Sequence, residues 1–372
     1  MVFKGAGERS ARDIVEAVEA EGGQINAATG QERTSFQVRA LKGGLPLAMA
    51  VISDLVVRPA LRADDLVREK AVVAQEIAEA NDTPDDVVFE LAQAAAFADQ
   101  SLGRPILGRD ETIAGVDRHA LAVFHAGFYA PDAVVISAAG AVDEAELLAL
   151  AERSFGEPGR APAPPAPTAA RFTGGQAPQT RPLEQAHLVL LLPAPGVLDP
   201  DYFALRVFAE ILGGGMSSRL FQEVREHRGL AYAVDAFADT HADVGVLGVY
   251  AGTSPKDAAE AARVCAGQIE AMVHQVHDAE LKRAKAQLKA GVFMARESVL
   301  ARAEQTAGQL LTFNRLFTVA ETAAAVDAVS AEDVRRLGAR LLEPGACACA
   351  VLGPKRALSA GQGFARALFG GV

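Results

Sequence analysis

Apolar and polar positions along this chain trace many helices and few strands. Ser10 with Asp13 three residues later predicts a capped helix start, and Gly22-Gly23 predicts its end. Residues 24–29 and 34–41 read as two strands around a turn at Gly30. An apolar helix is predicted over residues 46–57, then a strongly charged one carrying Glu69 and Glu76. Further helices follow near residues 85–98 and 117–127, and a strand near 133–138 closes the first half. The second half has a strand at 187–192, helices at 201–212 and 278–291, and a strand at 346–352. Runs of helices around a few strands fit an α+β class better than strict strand–helix alternation.

The halves repeat one programme. Val116, Pro131 and Gly140 recur as Val329, Pro344 and Gly353, each 213 residues later, and Leu66 falls opposite Leu281 at an offset of 215. At that second offset Glu69 becomes Ala284 and Glu76 becomes Gly291. The scaffold is duplicated and the carboxylates are not, which argues for chemistry in the first copy. Residues 156–182 are rich in Pro, Ala and Gly and read as a semi-rigid linker. The expected organisation is therefore an N-terminal domain at 1–155, a linker at 156–182 and a homologous C-terminal domain at 183–372. Each domain is expected to be an α/β sandwich, with helices packed on a mixed, largely antiparallel sheet. The strand and helix at 187–212 have no counterpart in the first copy, so the chain is expected to begin inside a domain.

Composition narrows the function classes. The 372 residues are half hydrophobic and 22% charged, with a formal charge of -11, so a nucleic-acid partner is not expected. The longest aliphatic run, residues 188–192, stops at Pro193, far short of a bilayer span. Three cysteines, Cys265, Cys347 and Cys349, do not make a disulfide framework; they read as small core residues in a reducing compartment, and a cytoplasmic location is expected.

Glu69 and Glu76 stand seven residues apart, almost two helical turns, so both carboxylates point to one face about 10 Å apart along the axis. Val72, Val73 and Ile77 flank Glu76, so this face is expected to lie against protein, where a carboxylate needs a cation, a metal or a donor. The competing reading is a solvated face with ion pairs to Arg68 and Lys70. Gly213-Gly-Gly215 lacks the Gly-Lys-Ser/Thr that would make it a phosphate loop and reads as a helix end.

Four segments carry a resemblance over essentially the whole chain. They are residues 1–5 with 10–13, residues 22–29, Glu69 with Glu76, and residues 212–221 running on to Arg225 and Tyr232. Together these resemble the pitrilysin/insulinase-type inverzincin metallopeptidases, and best the bacterial processing-peptidase-like group. In that family two histidines and the general base come from His-x-x-Glu-His, and a later glutamate completes the zinc ligands. None of the seven histidines here stands in such a motif. The resemblance places the second histidine immediately before Met1, so the chain is expected to start just after the zinc helix and to be inactive as it stands.

The resemblance implies a role for each matching residue. Glu76 would bind zinc, and Glu69 would orient a zinc histidine from behind. Arg225 and Tyr232 would donate to substrate and to a developing oxyanion. Asn26 and Ala27 would bind an extended peptide through their backbones, and Gly214 is a weaker substrate-binding candidate. The implied activity is a zinc-dependent endopeptidase acting on extended or unfolded peptides. The implied partner is a second copy or a homologous subunit, as homodimer or heterodimer, with no membrane partner. The alternatives are a non-catalytic partner or core subunit of such a complex, or a peptide-binding module.

Overall fold

A computed structural model describes residues 1–129, 133–156 and 168–370. The chain forms two compact units, neither continuous in sequence. One comprises Met1–Glu79, Ile106–Pro167 and Ala295–Leu316; the other comprises Ala80–Pro105, Thr168–Met294 and Phe317–Val372.

The first unit opens with a short hairpin of β1 (Gly5–Ala6) and β2 (Arg9–Ser10). Its turn residue Gly7 has φ 56°, and a side chain there would overlap the buried Asp54 carboxylate, which pairs with Arg9 and Arg58. α1 (Ala11–Ala20) starts on the expected capping box: Asp13 N–H donates to Ser10 Oγ at 3.2 Å, and Ser10 N–H to Asp13 Oδ2 at 2.8 Å. β3 (Gln24–Thr29) and β4 (Thr34–Arg39) pair antiparallel, with Asn26 opposite Gln37 and Ala27 opposite Phe36. α2 (Leu45–Val57) lays Val51 and Leu55 on Ile14 and Val18 of α1, with Ala6 completing the buried centre. α3 (Ala63–Asp82) carries both glutamates. α4 (Pro84–Ala96) belongs to the second unit, while α5 (Asp110–Gly115), α6 (Arg118–Phe128) and α7 (Glu144–Phe155) return to the first.

Residues 134–138 form no strand, contrary to the sequence expectation. A strand needs a ladder partner for its backbone groups. In the second unit the equivalent strand is held between two others. Among the described residues of the first unit nothing corresponds to those partners, so the apolar run stays irregular.

The second unit is built on five strands in the order β5-β9-β6-β8-β7: β5 (Gly175–Thr180), β6 (Ala186–Ala194), β7 (Ala231–Thr240), β8 (Gly245–Thr253) and β9 (Ala348–Gly353). β5 runs parallel to β9 and the other pairs are antiparallel, so the sheet is mixed as expected. β5 also corrects the linker reading. Residues 175–180 are an edge strand, where Pro178 is tolerated because one side needs no ladder donor. Residues 157–167 of the expected linker lie outside the described residues.

Both faces of this sheet are covered, which is why β6 reads as an unbroken aliphatic run. Leu188, Leu190 and Leu192 point into a core shared with α8 (Tyr202–Gly213), α9 (Ala258–His274), α13 (Ala331–Leu342) and α14 (Ala360–Phe369). Val189 and Leu191 point the other way, onto Val88, Ala92 and Ala96 of α4. α10 (Asp278–Met294) and α12 (Val319–Ala328) complete the unit, and α11 (Val299–Phe313) joins the first unit.

Element positions bear out the repeat. α2 and α9 begin at 45 and 258, and α6 and α13 at 118 and 331, both 213 residues apart. α3 and α10 begin at 63 and 278, and α4 and α11 at 84 and 299, both 215 apart. The last pair is exchanged: α4, from the first half of the chain, packs in the second unit, and α11, from the second half, packs in the first. The compact units therefore differ from a division of the chain at residues 156–182.

Candidate functional site

Glu76 is exposed on α3, and so is Val72; only Ile77 of that helix is buried. The expectation that this face lies against protein is corrected. Its aliphatic residues are few, and charged or small residues fill most of the helix surface. The rival ion pairs do not form either: Arg68 pairs with Asp65, and Lys70 donates to the Ala114 carbonyl at 2.7 Å.

Glu69 is half-buried. Lys4 Nζ lies 3.0 Å from its Oε2 and the Met1 amino group 3.1 Å from its Oε1. Burial works against the charge on this carboxyl, but the two ammonium groups outweigh it and hold the group below the ordinary glutamate value. Glu69 is therefore an anion engaged with cations.

Among the described residues no group of three or more His, Cys, Asp or Glu side chains is placed to hold a metal ion. The zinc implied by the resemblance needs three protein ligands with a free position, and the residues present do not supply them. His125 Nε2 lies 2.8 Å from the Val56 carbonyl, and His187 Nδ1 sits 2.7 Å from Asp85 and 3.0 Å from the Tyr250 hydroxyl. Both rings are occupied in holding the fold.

The β3 hairpin offers a different opportunity. Among the described residues β3 pairs only with β4, which leaves its outer edge without a ladder partner. Beside that edge runs an open groove of about 500 Å³, lined by Phe3, Val15 and Glu19 opposite residues 23–26. The Ala27 N–H is taken by the Oδ1 of Asn26 at 2.9 Å, so it points away from β4 and is shielded by its neighbour's side chain. A peptide adding to this edge would displace that local bond, gain main-chain pairing and place side chains in the groove.

Arg225 and Tyr232 are brought together within the second unit. Arg225 lies in a π-helix, Phe221–His227, an uncommon geometry often found at functional sites. The helix stops as Leu230 N–H donates to the Val224 carbonyl at 2.8 Å and Gly229 takes φ 61°, turning the chain into β7. The guanidinium then lies 4.7 Å from the Phe221 ring centre and 4.8 Å from that of Tyr232. Its ion pair to Glu226 is long, at 3.8 Å, and Tyr232 is 77% exposed. A half-exposed cation steadied by two rings presents N–H donors outward, beside a phenol that can also donate.

Gly214 ends α8, and a side chain there would overlap the Glu210 carboxylate. Gly213 is pressed equally close to Ala236 on β7. Packing on the β7 backbone accounts for Gly213, whereas the Glu210 carboxylate near Gly214 is the flexible end of a side chain and a side chain at Gly215 would meet nothing.

Sequence reasoning missed Phe221, although its spacing of four from Arg225 on a helix was an available signal. It also missed the groove residues Phe3, Val15 and Glu19, which come from separate elements and share no local pattern.

Two family models match the chain: "Insulinase (Peptidase family M16)" over residues 1–110 and "Peptidase M16 inactive domain" over residues 115–288. An uncharacterized zinc protease of Mycobacterium leprae is 36% identical over 360 residues, covering 95% of this chain and 81% of the relative. Among solved structures, a protease from Helicobacter pylori superposes with a TM-score of 0.88 at 20% identity, over 95% of this chain and 87% of that one. A chain of Complex III2 from Candida albicans superposes with a TM-score of 0.82 at 18% identity, over 94% and 86%. At such low identity these two likenesses show the fold alone. The sequence relationship is closer and spans nearly the full chain: this protein belongs to the insulinase family, peptidase family M16.

Proposed function

We propose that this chain provides the peptide-binding part and one metal-binding carboxylate of a zinc-dependent endopeptidase acting on extended peptides. The observation that carries the reading is the unpaired outer edge of β3 with a groove beside it, a surface suited to a peptide in strand form. Relatives named as zinc proteases support the metal and the reaction class. In this reading Glu76 is a zinc ligand, Glu69 orients a second ligand, and Arg225 and Tyr232 donate to the substrate. The 372 residues contain no His-x-x-Glu-His, and in this reading two ligands and the general base are supplied from outside them.

The test joins a His-x-x-Glu-His segment ahead of Met1 and compares this form with the 372-residue chain by equilibrium dialysis against zinc. The shorter chain should take up no stoichiometric zinc. The extended form should bind one ion per chain, cleave a quenched fluorescent peptide, and lose the metal on Glu76→Gln. Stoichiometric uptake by the shorter chain, unaffected by Glu76→Gln, would place any metal elsewhere and end this reading.

A further inference from the structure

Cys347 and Cys349 were expected to be inert core residues, and their packing suggests more. Both thiols face the same side of the sheet, and the Cys349 S–H donates to the Cys347 sulfur at 3.6 Å. Cys349 is 1% exposed and sits inside β9, opposite Gln176 on β5. α14 closes over it so tightly that a side chain at Gly361 would meet both Cys349 and Gln176. Cys347 is 8% exposed and lies just before the strand, after Gly345 at φ 62°. The two thiols thus differ in access, in backbone freedom and in the direction of their shared hydrogen bond.

We propose that Cys347 and Cys349 are a peroxide-responsive dithiol that closes reversibly to a disulfide, with Cys347 the sulfur oxidised first. The Cys347 thiolate attacks one oxygen of hydrogen peroxide, the O–O bond breaks, and the departing hydroxide takes a proton to become water, leaving a sulfenic acid. Cys349, giving up its proton, then attacks that sulfur; the S–S bond forms, the S–O bond breaks and a second water leaves. Two thiols are oxidised and one peroxide is reduced to two waters.

Three features favour this order. The hydrogen bond received from Cys349 holds the Cys347 thiol below the ordinary cysteine value, whereas that bond and burial push Cys349 up. Cys347 is the more open of the two. Closing the sulfur separation from 3.6 Å to about 2.05 Å requires movement, and residues 343–347 lie outside the ladder and can supply it. Gly175 N–H to the Cys347 carbonyl, at 3.0 Å, resists this movement at Cys347 itself, while Gly345 N–H to Leu342 and Glu343 N–H to Ala339 tie the start of the segment to the preceding helix. A ring spanning three residues removes little entropy from the unfolded chain, so the bridge acts as a switch at the β5–β9 edge and does not serve as a staple. Cys265 provides a contrast: it is fully buried, has no partner thiol, and burial pushes it up to about 12.

The experiment treats the folded 372-residue chain with hydrogen peroxide, alkylates it in denaturant and measures tryptic masses. Residues 341–355 form one tryptic peptide holding both cysteines, and Cys265 lies on another. The peptide should lose two hydrogens and resist alkylation, and dithiothreitol should restore both thiols. Exposed Met216 and Met294 report that oxidant reached the protein. In Cys349→Ser, dimedone should trap a sulfenic acid at Cys347; in Cys347→Ser, Cys349 should stay reduced. If Met216 is oxidised while the peptide keeps two free thiols, or gains oxygen without losing hydrogen, the proposal is wrong. Should either serine variant fail to fold, the wild-type peptide mass still decides.

Discussion

The Arg225 guanidinium rests over the ring of Tyr232, 4.8 Å from its centre. The ring and the hydroxyl can therefore be separated by mutation. Tyr232→Phe keeps the face that steadies Arg225 and removes only the donor. Because Tyr232 is largely exposed, thermal stability should change by no more than about 0.5 kcal/mol. Peptide cleavage by the form carrying a His-x-x-Glu-His segment should fall about 100-fold or more, as for loss of an oxyanion donor, with zinc content unchanged. Unchanged turnover would remove Tyr232 from the chemistry.

Peptide binding at the β3 edge depends on backbone groups, so it can be weakened without altering side-chain chemistry. Ala27 N–H points away from the β4 ladder. Ala27→Pro removes that donor where a proline on an edge strand is tolerated. Fluorescence anisotropy with an unstructured labelled peptide should show affinity reduced about fivefold or more, matching loss of one hydrogen bond of about 1 kcal/mol. Asn26→Ala removes the shield from the same N–H and should leave affinity equal or higher. The opposite ordering would exclude β3 as the binding edge.

Asp201 is buried at the start of α8 and receives hydrogen bonds from Arg336 and Arg340, at 2.7 Å each. Arg340 also reaches Asp199, at 2.8 Å. For Asp201 the Arg336 hydrogen bond outweighs burial, and for Asp199 the Arg340 hydrogen bond dominates; both carboxyls lie below the ordinary aspartate value of 3.8. A carboxyl lowered in the folded state stabilises fully above the unfolded value, and that contribution fades as pH falls through the folded value. Asp201→Asn should cost about 1–3 kcal/mol at pH 7. Denaturant titrations from pH 7 to pH 3 should show its difference from wild type shrinking only below about pH 4. A constant difference across that range would mean the charge is not what stabilises the cluster.

The exchanged helix α4 can be tested through its C-terminal anchor. Phe97 is 1% exposed and packs edge-on against Phe172, with ring centres 6.0 Å apart. Phe97→Ala should destabilise the second unit by about 3–5 kcal/mol. Leu55→Ala should destabilise the first unit by about 2–5 kcal/mol. Hydrogen exchange should assign the lost protection to β6 and β9 in the first variant and to α1 and α2 in the second. Protection lost from α1 and α2 in Phe97→Ala would place α4 in the other unit.

Much of the candidate site was legible because short-range chemistry writes it. The Ser10/Asp13 box and the two strands around Gly30 are each decided within a few residues. The family resemblance implied Arg225 and Tyr232 as a pair, but the helix stop and the turn into β7 are what stack one on the other. Glu76 was misjudged because three flanking aliphatic residues suggested a covered face. Burial depends on what arrives from elsewhere in the chain: Met1 and Lys4 reach Glu69, two turns earlier on α3, and Glu76 is left exposed. Residues 175–180 looked like linker because proline and glycine are poor strand formers, yet parallel pairing with β9, from the far end of the sequence, makes them a strand.

By itself the sequence determined the α+β class, the duplicated programme and the single occurrence of the carboxylates, since periodicity, caps and breakers act over about ten residues. Only the tertiary structure decided that α4 and α11 are exchanged between units. An apolar stripe such as Val88, Ala92 and Ala96 requires a sheet to cover it but does not specify which strands supply it. That choice rests on packing between segments more than 100 residues apart, which no local pattern encodes.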